Sequence, residues 1–274
     1  MIHALTARQR RGVKLFALGF LPFAGFGLAY LLPMALTVRY SLLDSSFQQT
    51  FVGLENYAYI WSNRYFLLGM KNLLMIGAVA IAGAVAISLL VAWLLCRHPR
   101  LARVGMAVLI LPLLIPSVSA VSVWQSAFHA DILTPWWISM AALVTLYWWK
   151  FSGVGSVILY AALQRVPQSV LDAAALDGAG EWRAYFQIRL PMIREQLMLA
   201  LIFLLMYFLR VYKESYLLFG QYTANEMYMV QHYMNNQYLK MSAEYVSAAA
   251  VSLTLLALRL YGAAYAAFGR RHSP

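Results

Sequence analysis

Long apolar stretches alternate with short polar breaks along this 274-residue chain. Runs long enough for an α-helix to cross the hydrocarbon core of a bilayer occur at 15–38, 72–96, 104–128, 137–163, 197–218 and 245–268. The pattern predicts an all-α polytopic membrane protein with about six transmembrane helices. Pro22 and Pro33 interrupt the first run, and Pro112 and Pro116 are expected to kink the third. The middle of the second run, 77–86, is built from Gly, Ala, Val and Ile, so that face is expected to pack closely on protein. Between the first two runs, FVGLENY at 51–57 carries turn residues at Gly53 and Asn56. A polar, aromatic and Met-rich loop is expected at 219–244. The longest polar interruption is 166–191, VPQSVLDAAALDGAGEWRAYFQIRLP.

Composition supports the membrane reading. The chain is 62% hydrophobic and 11% charged, whereas soluble domains are about 45–50% apolar and about 25% charged. The net charge of +11 reads as topology, and no basic patch interleaved with aromatics points to nucleic acid. With six spans, Arg8, Arg10, Arg11, Lys14, Arg97, Arg100, Arg103, Arg165, Arg183, Arg189, Arg194, Arg270 and Arg271 share one face, against Arg39, Arg64, Lys71 and Lys240 on the other. That asymmetry orients both termini and the 166–191 stretch to the cytoplasm. Residues 1–14 then form a basic cytoplasmic tail, 15–268 the transmembrane domain and 269–274 a second tail. The apolar run after the basic start continues too far for a cleaved signal and reads as a retained helix. A single cysteine, Cys96, excludes an intrachain disulfide, and the five histidines lack metal-ligand spacing, so no metal site is expected.

Within 166–191, Ser169 is placed to cap a short helix with Asp172 at its third position, Gly178 and Gly180 break that helix, and a second piece at 181–188 presents Trp182, Tyr185 and Phe186. Apolar and aromatic side chains facing water call for a protein partner. The residues Asp172, Ala173, Ala174, Asp177, Gly178 and Ala179, followed by Phe186, Ile188, Leu190 and Pro191, resemble the EAA loop of membrane subunits of binding-protein-dependent ABC importers. FVGLENY, and Trp149-Lys150 followed by Gly153, look similar to the carbohydrate-type group that includes maltose and glycerol-3-phosphate permeases. The resemblance covers roughly 15–268, with a core at about 68–265, and implies a type I ABC importer permease fold in a bacterial inner membrane. It also implies its partners: ATP-binding cassette subunits, a second permease subunit forming a heterodimer, and an extracytoplasmic solute-binding protein, alongside membrane lipid. The family usually carries Glu where Asp172 stands, and the loop between the third and fourth runs is shortened here.

No G-x-x-x-x-G-K-[ST] occurs, so the chain is not expected to be an ATPase or to bind a cofactor itself; ATP and Mg would be used by partner subunits. In the family the bent loop seats in a cleft of the ATP-binding subunit. By that resemblance Asp172 supplies a charge, Gly178 the bend, and Trp182, Tyr185 and Phe186 the anchors buried against the partner. Lys150, Arg210 and Glu214 are the ionisable candidates for a substrate pathway. Arg210 and Glu214, four apart, would face each other on one helix. Two readings stand for Lys150 and Arg210: lining a polar cavity for a hydroxylated solute, or a structural role in which Lys150 pairs with an acid of a neighbouring span. The leading function is half of the translocation pathway of an ATP-driven importer for a sugar or related solute. The alternatives are an amino-acid, peptide or ion importer, a secondary transporter and a membrane-embedded enzyme.

Overall fold

In the computed structural model the described residues are 19–20, 22–45, 48–129, 134–221 and 223–269. The basic tail 1–14, the terminal residues 270–274, Tyr222 and part of the shortened loop before Trp136 lie outside them. Five helices are long and apolar enough to span a membrane, and a sharply bent pair supplies a sixth crossing by length and composition. The chain divides into two compact units, residues 1–63 with 237–252, and residues 64–236 with 253–274.

In the first unit, α1 (Pro22–Tyr40) is a candidate span none of whose apolar window is buried. Pro33 has no N–H to donate and its ring crowds the carbonyl four residues back. The helix widens into a π-helical stretch, Gly27–Leu31, just before it, with the Leu32 N–H donating to the Gly27 carbonyl. The FVGLENY segment then forms the expected turn. Gly53 takes φ +62°, and buried Asn56 donates its Nδ2 to the carbonyls of Ser41 (3.1 Å) and Leu43 (2.7 Å). Tyr57 shares a 2.7 Å hydrogen bond with Ser41 Oγ. The turn opens α2 (Glu55–Ser62). Tyr59 of α2 stacks on Tyr245 at 4.2 Å between centroids.

The second unit is built on three helices: α3 (Arg64–Arg97), α6 (Trp136–Leu163) and α9 (Arg194–Leu209). The small residues of α3 do what their composition suggested. A Cβ on Gly83 would lie 2.3 Å from the Trp148 ring of α6, and one on Gly77 would lie 2.7 Å from Phe208 of α9. That closeness lets Trp148 Nε1 donate to the Ala80 carbonyl (2.9 Å), Ser88 Oγ to the Ser152 carbonyl (2.8 Å), and the Tyr147 hydroxyl to the Leu204 carbonyl (2.6 Å). Hydrogen bonds between helices at membrane depth substitute for absent water.

The third apolar run is broken rather than kinked. α4 (Pro99–Leu114) and α5 (Ser117–Phe128) meet at 93°. Ile115 and Pro116 both take extended ψ, 128° and 137°, because the residue before a proline is driven out of the helical region. The fifth run stays a single candidate span, Arg194–Phe219, interrupted only by a two-residue turn: α9 ends at Leu209 and α10 (Tyr212–Phe219) resumes after Arg210 and Val211. The expected loop at 219–244 is more ordered than its polarity implied. It contains a 3₁₀ turn, Asn225–Met227, and α11 (Val230–Leu239). The segment is pinned to α3, since Asn72 Nδ2 donates to the carbonyls of Asn225 (2.7 Å) and Tyr228 (2.9 Å). The last helix, α12, runs Ala243–Gly269.

Candidate functional site

The stretch after α6 forms α7 (Gln168–Leu176) and α8 (Glu181–Ala184), and α8 continues through a π-helical stretch Tyr185–Arg189 to a closing turn Leu190–Met192. Ser169 is not the cap. Pro167 holds that position and no side chain caps the helix, because Val166-Pro167 already fixes the extended entry. Asp172 instead accepts from Gln168 Nε2, one turn earlier, at 2.9 Å. At the far end the sequence writes a complete Schellman cap. The Ala179 N–H donates to the Ala174 carbonyl (2.9 Å), the Gly178 N–H donates to the Ala175 carbonyl (3.0 Å), and Gly178 between them has φ +77°. Ala174 is buried under this cap, whereas Ala173 and Asp177 face outward.

The base of the loop is clamped to the end of α3. Glu181 forms an ion pair with Arg97, whose guanidinium lies 4.4 Å from the centre of the Trp93 ring. Trp182 stacks on the same Trp93 ring at 4.9 Å, and the Tyr185 hydroxyl donates to the Leu89 carbonyl at 3.0 Å. Tyr185 is therefore an internal anchor, 4% exposed, and not the outward one its neighbours suggested. Burial pushes its hydroxyl up to about 12. Leu190 packs on the same core cluster, and Pro191 is exposed. What stays open is an apolar surface: Leu176 is 89% exposed, and Trp182, Phe186 and Met192 are each about half exposed or more.

This clamp lies at the Leu89–Arg97 end of α3, and the pinned 225–230 segment lies at its Gly69–Asn72 end. Twenty-one residues of helix from Asn72 to Trp93 separate them by about 32 Å, close to the roughly 30 Å thickness of a bilayer's hydrocarbon core. The two surfaces therefore belong to opposite sides of a membrane.

Between them, level with the middle of α3, sits the ionisable cluster. Lys150 of α6 donates to Glu214 Oε1 of α10 at 2.8 Å and to Ser117 Oγ of α5 at 2.7 Å, and Ser117 Oγ in turn donates to Glu214 Oε1 at 2.8 Å. Lys150 is 5% and Glu214 4% exposed. Of the two readings open for Lys150, this geometry matches pairing with an acid of a neighbouring span. The expected Arg210–Glu214 pair does not form. The helix is interrupted at Arg210, which has φ −101° and ψ 0°, and Arg210 is exposed whereas Glu214 is buried. Ser117 was missed by sequence reasoning, although a serine directly after Pro116 marks a helix start. Gln125 was missed too. It donates to the Leu217 and Leu218 carbonyls at the end of α10, at 3.0 and 3.2 Å. Among the described residues no three or more His, Cys, Asp or Glu side chains gather as metal ligands would.

The fold and both loops point to one class of membrane protein. The chain belongs to the family of inner membrane components of binding-protein-dependent transport systems, whose model matches residues 84–273, more than two thirds of its length. This is a transport permease family and not an enzyme family. Among curated relatives, the chain is 27% identical over 216 residues to an osmoprotective-compound uptake permease of Synechocystis, covering 70% of this chain and 77% of the relative. It is 27% identical to the trehalose/maltose permease MalF of Thermococcus litoralis, covering 80% and 82%. It is 28% identical to a sulfoquinovosyl glycerol permease of Agrobacterium fabrum, covering 65% of this chain but only 63% of that relative. Among solved structures, it superposes with a TM-score of 0.77, at 19% identity, on a chain of a bacterial ABC transporter that imports the acidic polysaccharide alginate, covering 96% of this chain and 98% of that one. The fold is thus that of an ABC importer permease.

Proposed function

We propose that this chain is one half of the translocation pathway of an ATP-driven importer for a sugar or related hydroxylated solute, coupled to a cytoplasmic ATPase through 166–191. The observation that carries the reading is the α7–α8 loop. It is braced from within by Trp93, Arg97 and Tyr185, yet presents Leu176, Trp182 and Phe186 outward beside Asp172 and Asp177. A braced apolar surface on a membrane protein suits a docking partner. In this reading the partner is an ATP-binding cassette subunit, which uses ATP and Mg. Gly178 sets the bend by which motion passes along α6 and α9. The basic asymmetry of the sequence favours placing this loop, and both termini, in the cytoplasm.

Sugar-type solutes are favoured by the named relatives, which handle osmoprotective compounds, trehalose/maltose and sulfoquinovosyl glycerol. A second permease subunit and an extracytoplasmic binding protein complete the assembly. The described structure of the alginate importer was solved with an oligosaccharide-bound periplasmic protein. The test is co-purification of the chain with ATP-binding cassette subunits from its host membrane. The parent is expected to retain them, and Leu176→Glu/Phe186→Glu to lose them while still inserting. Retention by that variant would remove the loop from the interface.

A further inference from the structure

Arg259 stands in the 27-residue α12, whose Ala243–Phe268 stretch is long and apolar enough to span a membrane. Ten residues, about 15 Å, separate it from Gly269, and sixteen, about 24 Å, from Ala243. Helical side chains tilt toward the N-terminus of their helix. The guanidinium is therefore carried away from the nearer end and lies level with the middle of the span. Snorkelling to that nearer end runs against the direction of the Cα–Cβ bond. Arg259 is exposed, and the two ion pairs among the described residues, Arg97–Glu181 and Lys150–Glu214, do not include it. The chain holds no free acid at that depth. Of its ten acidic residues, three lie within candidate spans. Glu195 and Glu244 are each the second residue of theirs, and Glu214 is already held by Lys150 and Ser117.

The helix surface beside Arg259 permits close approach. Gly262, Ala263 and Ala266 follow at i+3, i+4 and i+7, so they share its face, and all three are exposed. Inside α3 and α6, glycine stands where another segment presses on it: a Cβ on Gly69, Gly77, Gly83, Gly153 or Gly155 would fall within 2.7 Å of a neighbour. One on Gly262 would meet nothing within 4 Å. Glycine destabilises a helix interior relative to alanine, and no contact within this chain requires it here.

We infer that the Arg259–Ala266 face of α12 docks a membrane-spanning helix of a different polypeptide, which carries an Asp or Glu opposite Arg259 near the middle of its span. An unpaired charge at membrane depth is strongly unfavourable, and a carboxylate satisfies a guanidinium through two parallel hydrogen bonds where no water does. Small residues let the two backbones come together in lipid. A second copy of this chain does not fit. Two copies meeting through this face would oppose Arg259 to Arg259, and any other face of the copy would bring no free acid at that depth. Only the naming of the docked helix as part of the second permease subunit rests on the proposed transport function; the missing counter-charge does not.

The test places the photo-crosslinking residue p-benzoylphenylalanine at Leu258, a large exposed side chain at the edge of this face, in the full chain expressed in its host's membranes. Irradiation is expected to give an adduct whose cross-linked peptide, read by mass spectrometry, comes from a membrane-spanning segment of a different protein with Asp or Glu near its centre. Arg259→Met should lower the adduct yield several-fold, and Arg259→Lys, which keeps the charge, should restore part of it. Both replace an exposed side chain and should leave insertion intact. Absence of a protein adduct overturns the inference, as does an adduct with a second copy, with another segment of the same chain, or with a spanning segment that lacks a central acid. A yield indifferent to Arg259→Met overturns it too. The two readings separate. A chain that retains ATP-binding subunits but cross-links only lipid keeps the transport function and loses this face. An acid-bearing helix from a protein that is no permease keeps the face and loses the naming.

Discussion

The α7–α8 loop and the Lys150 cluster invert the usual arrangement of a folded protein. At membrane depth, where apolar side chains are at home, three polar groups from three helices close on one another and leave nothing exposed. In the loop, where polar side chains are at home, leucine and aromatics stand in the open over a braced base. The first is polarity satisfied within the chain, and the second is apolar surface awaiting something outside it. A buried polar group that is satisfied internally speaks of the chain's own states. An exposed apolar group on a rigid support speaks of a partner.

Mutations should separate these two regions, and the largest effects belong to the buried one. Lys150→Met strands the Glu214 carboxylate, and loss of one partner of a buried ion pair is expected to cost about 3–5 kcal/mol. The paired change with Glu214→Gln should recover most of that loss. Thermal unfolding in detergent would read both, and a single variant as stable as the parent would mean that the pair contributes nothing. Gly153→Ala comes next, since its Cβ would fall 1.9 Å from the Leu109 carbonyl oxygen of α4. It is expected to separate α4 from α6 and lower stability by about 1–3 kcal/mol, as overpacking does.

His232 lies between these and the loop. It is buried among Tyr212, Tyr216 and Tyr228, and its Nδ1 accepts from the Met229 N–H. Burial depresses its pKa from 6.5 to about 4. Since the unfolded chain takes up the proton first, stability should be flat above pH 6.5. It should fall between pH 6.5 and 4, by up to roughly 3 kcal/mol, and level off below. Hydrogen exchange at α11 across that window would follow it, and His232→Asn should flatten the dependence.

The loop should answer differently, with function moving more than stability. A Cβ on Gly178 would meet nothing within 4 Å, so Gly178→Ala should cost only the left-handed backbone penalty of about 1–2 kcal/mol, local to the bend. Gly178→Asp is expected to leave an inserted subunit whose partner ATPase no longer responds to solute. Full solute-stimulated ATPase activity in that variant would dissociate the bend from coupling. The smallest effect is expected at Arg97–Glu181, a half-exposed pair, where Glu181→Ala should change stability by no more than about 1 kcal/mol.

Much of this molecule was legible in the one-dimensional pattern, and the misses have a common cause. Spans, the close face of α3, the Gly53–Asn56 turn and the Gly178 bend rest on local chemistry: run length, small side chains, a residue able to take positive φ. What failed depended on partners distant in sequence. Tyr185 was read as outward because its neighbours Trp182 and Phe186 are, yet its hydroxyl reaches Leu89, 96 residues earlier. Glu214 was paired with Arg210 by helical spacing, and it meets Lys150 instead, 64 residues away. The 219–244 stretch looked loose because the carbonyls that Asn72 holds there are 153 and 156 residues distant.

The sequence by itself determined that this chain lives in a bilayer, where its apolar runs lie, where it bends at glycine, and which loop resembles a docking motif, because each is written in neighbouring residues. The tertiary structure alone decided which of those residues face one another. It closed Lys150, Ser117 and Glu214 into a single contact and turned Tyr185 inward while leaving Leu176 and Phe186 outside. A helix break or a packing contact reassigns side chains across the whole fold, and no local pattern records where it will send them.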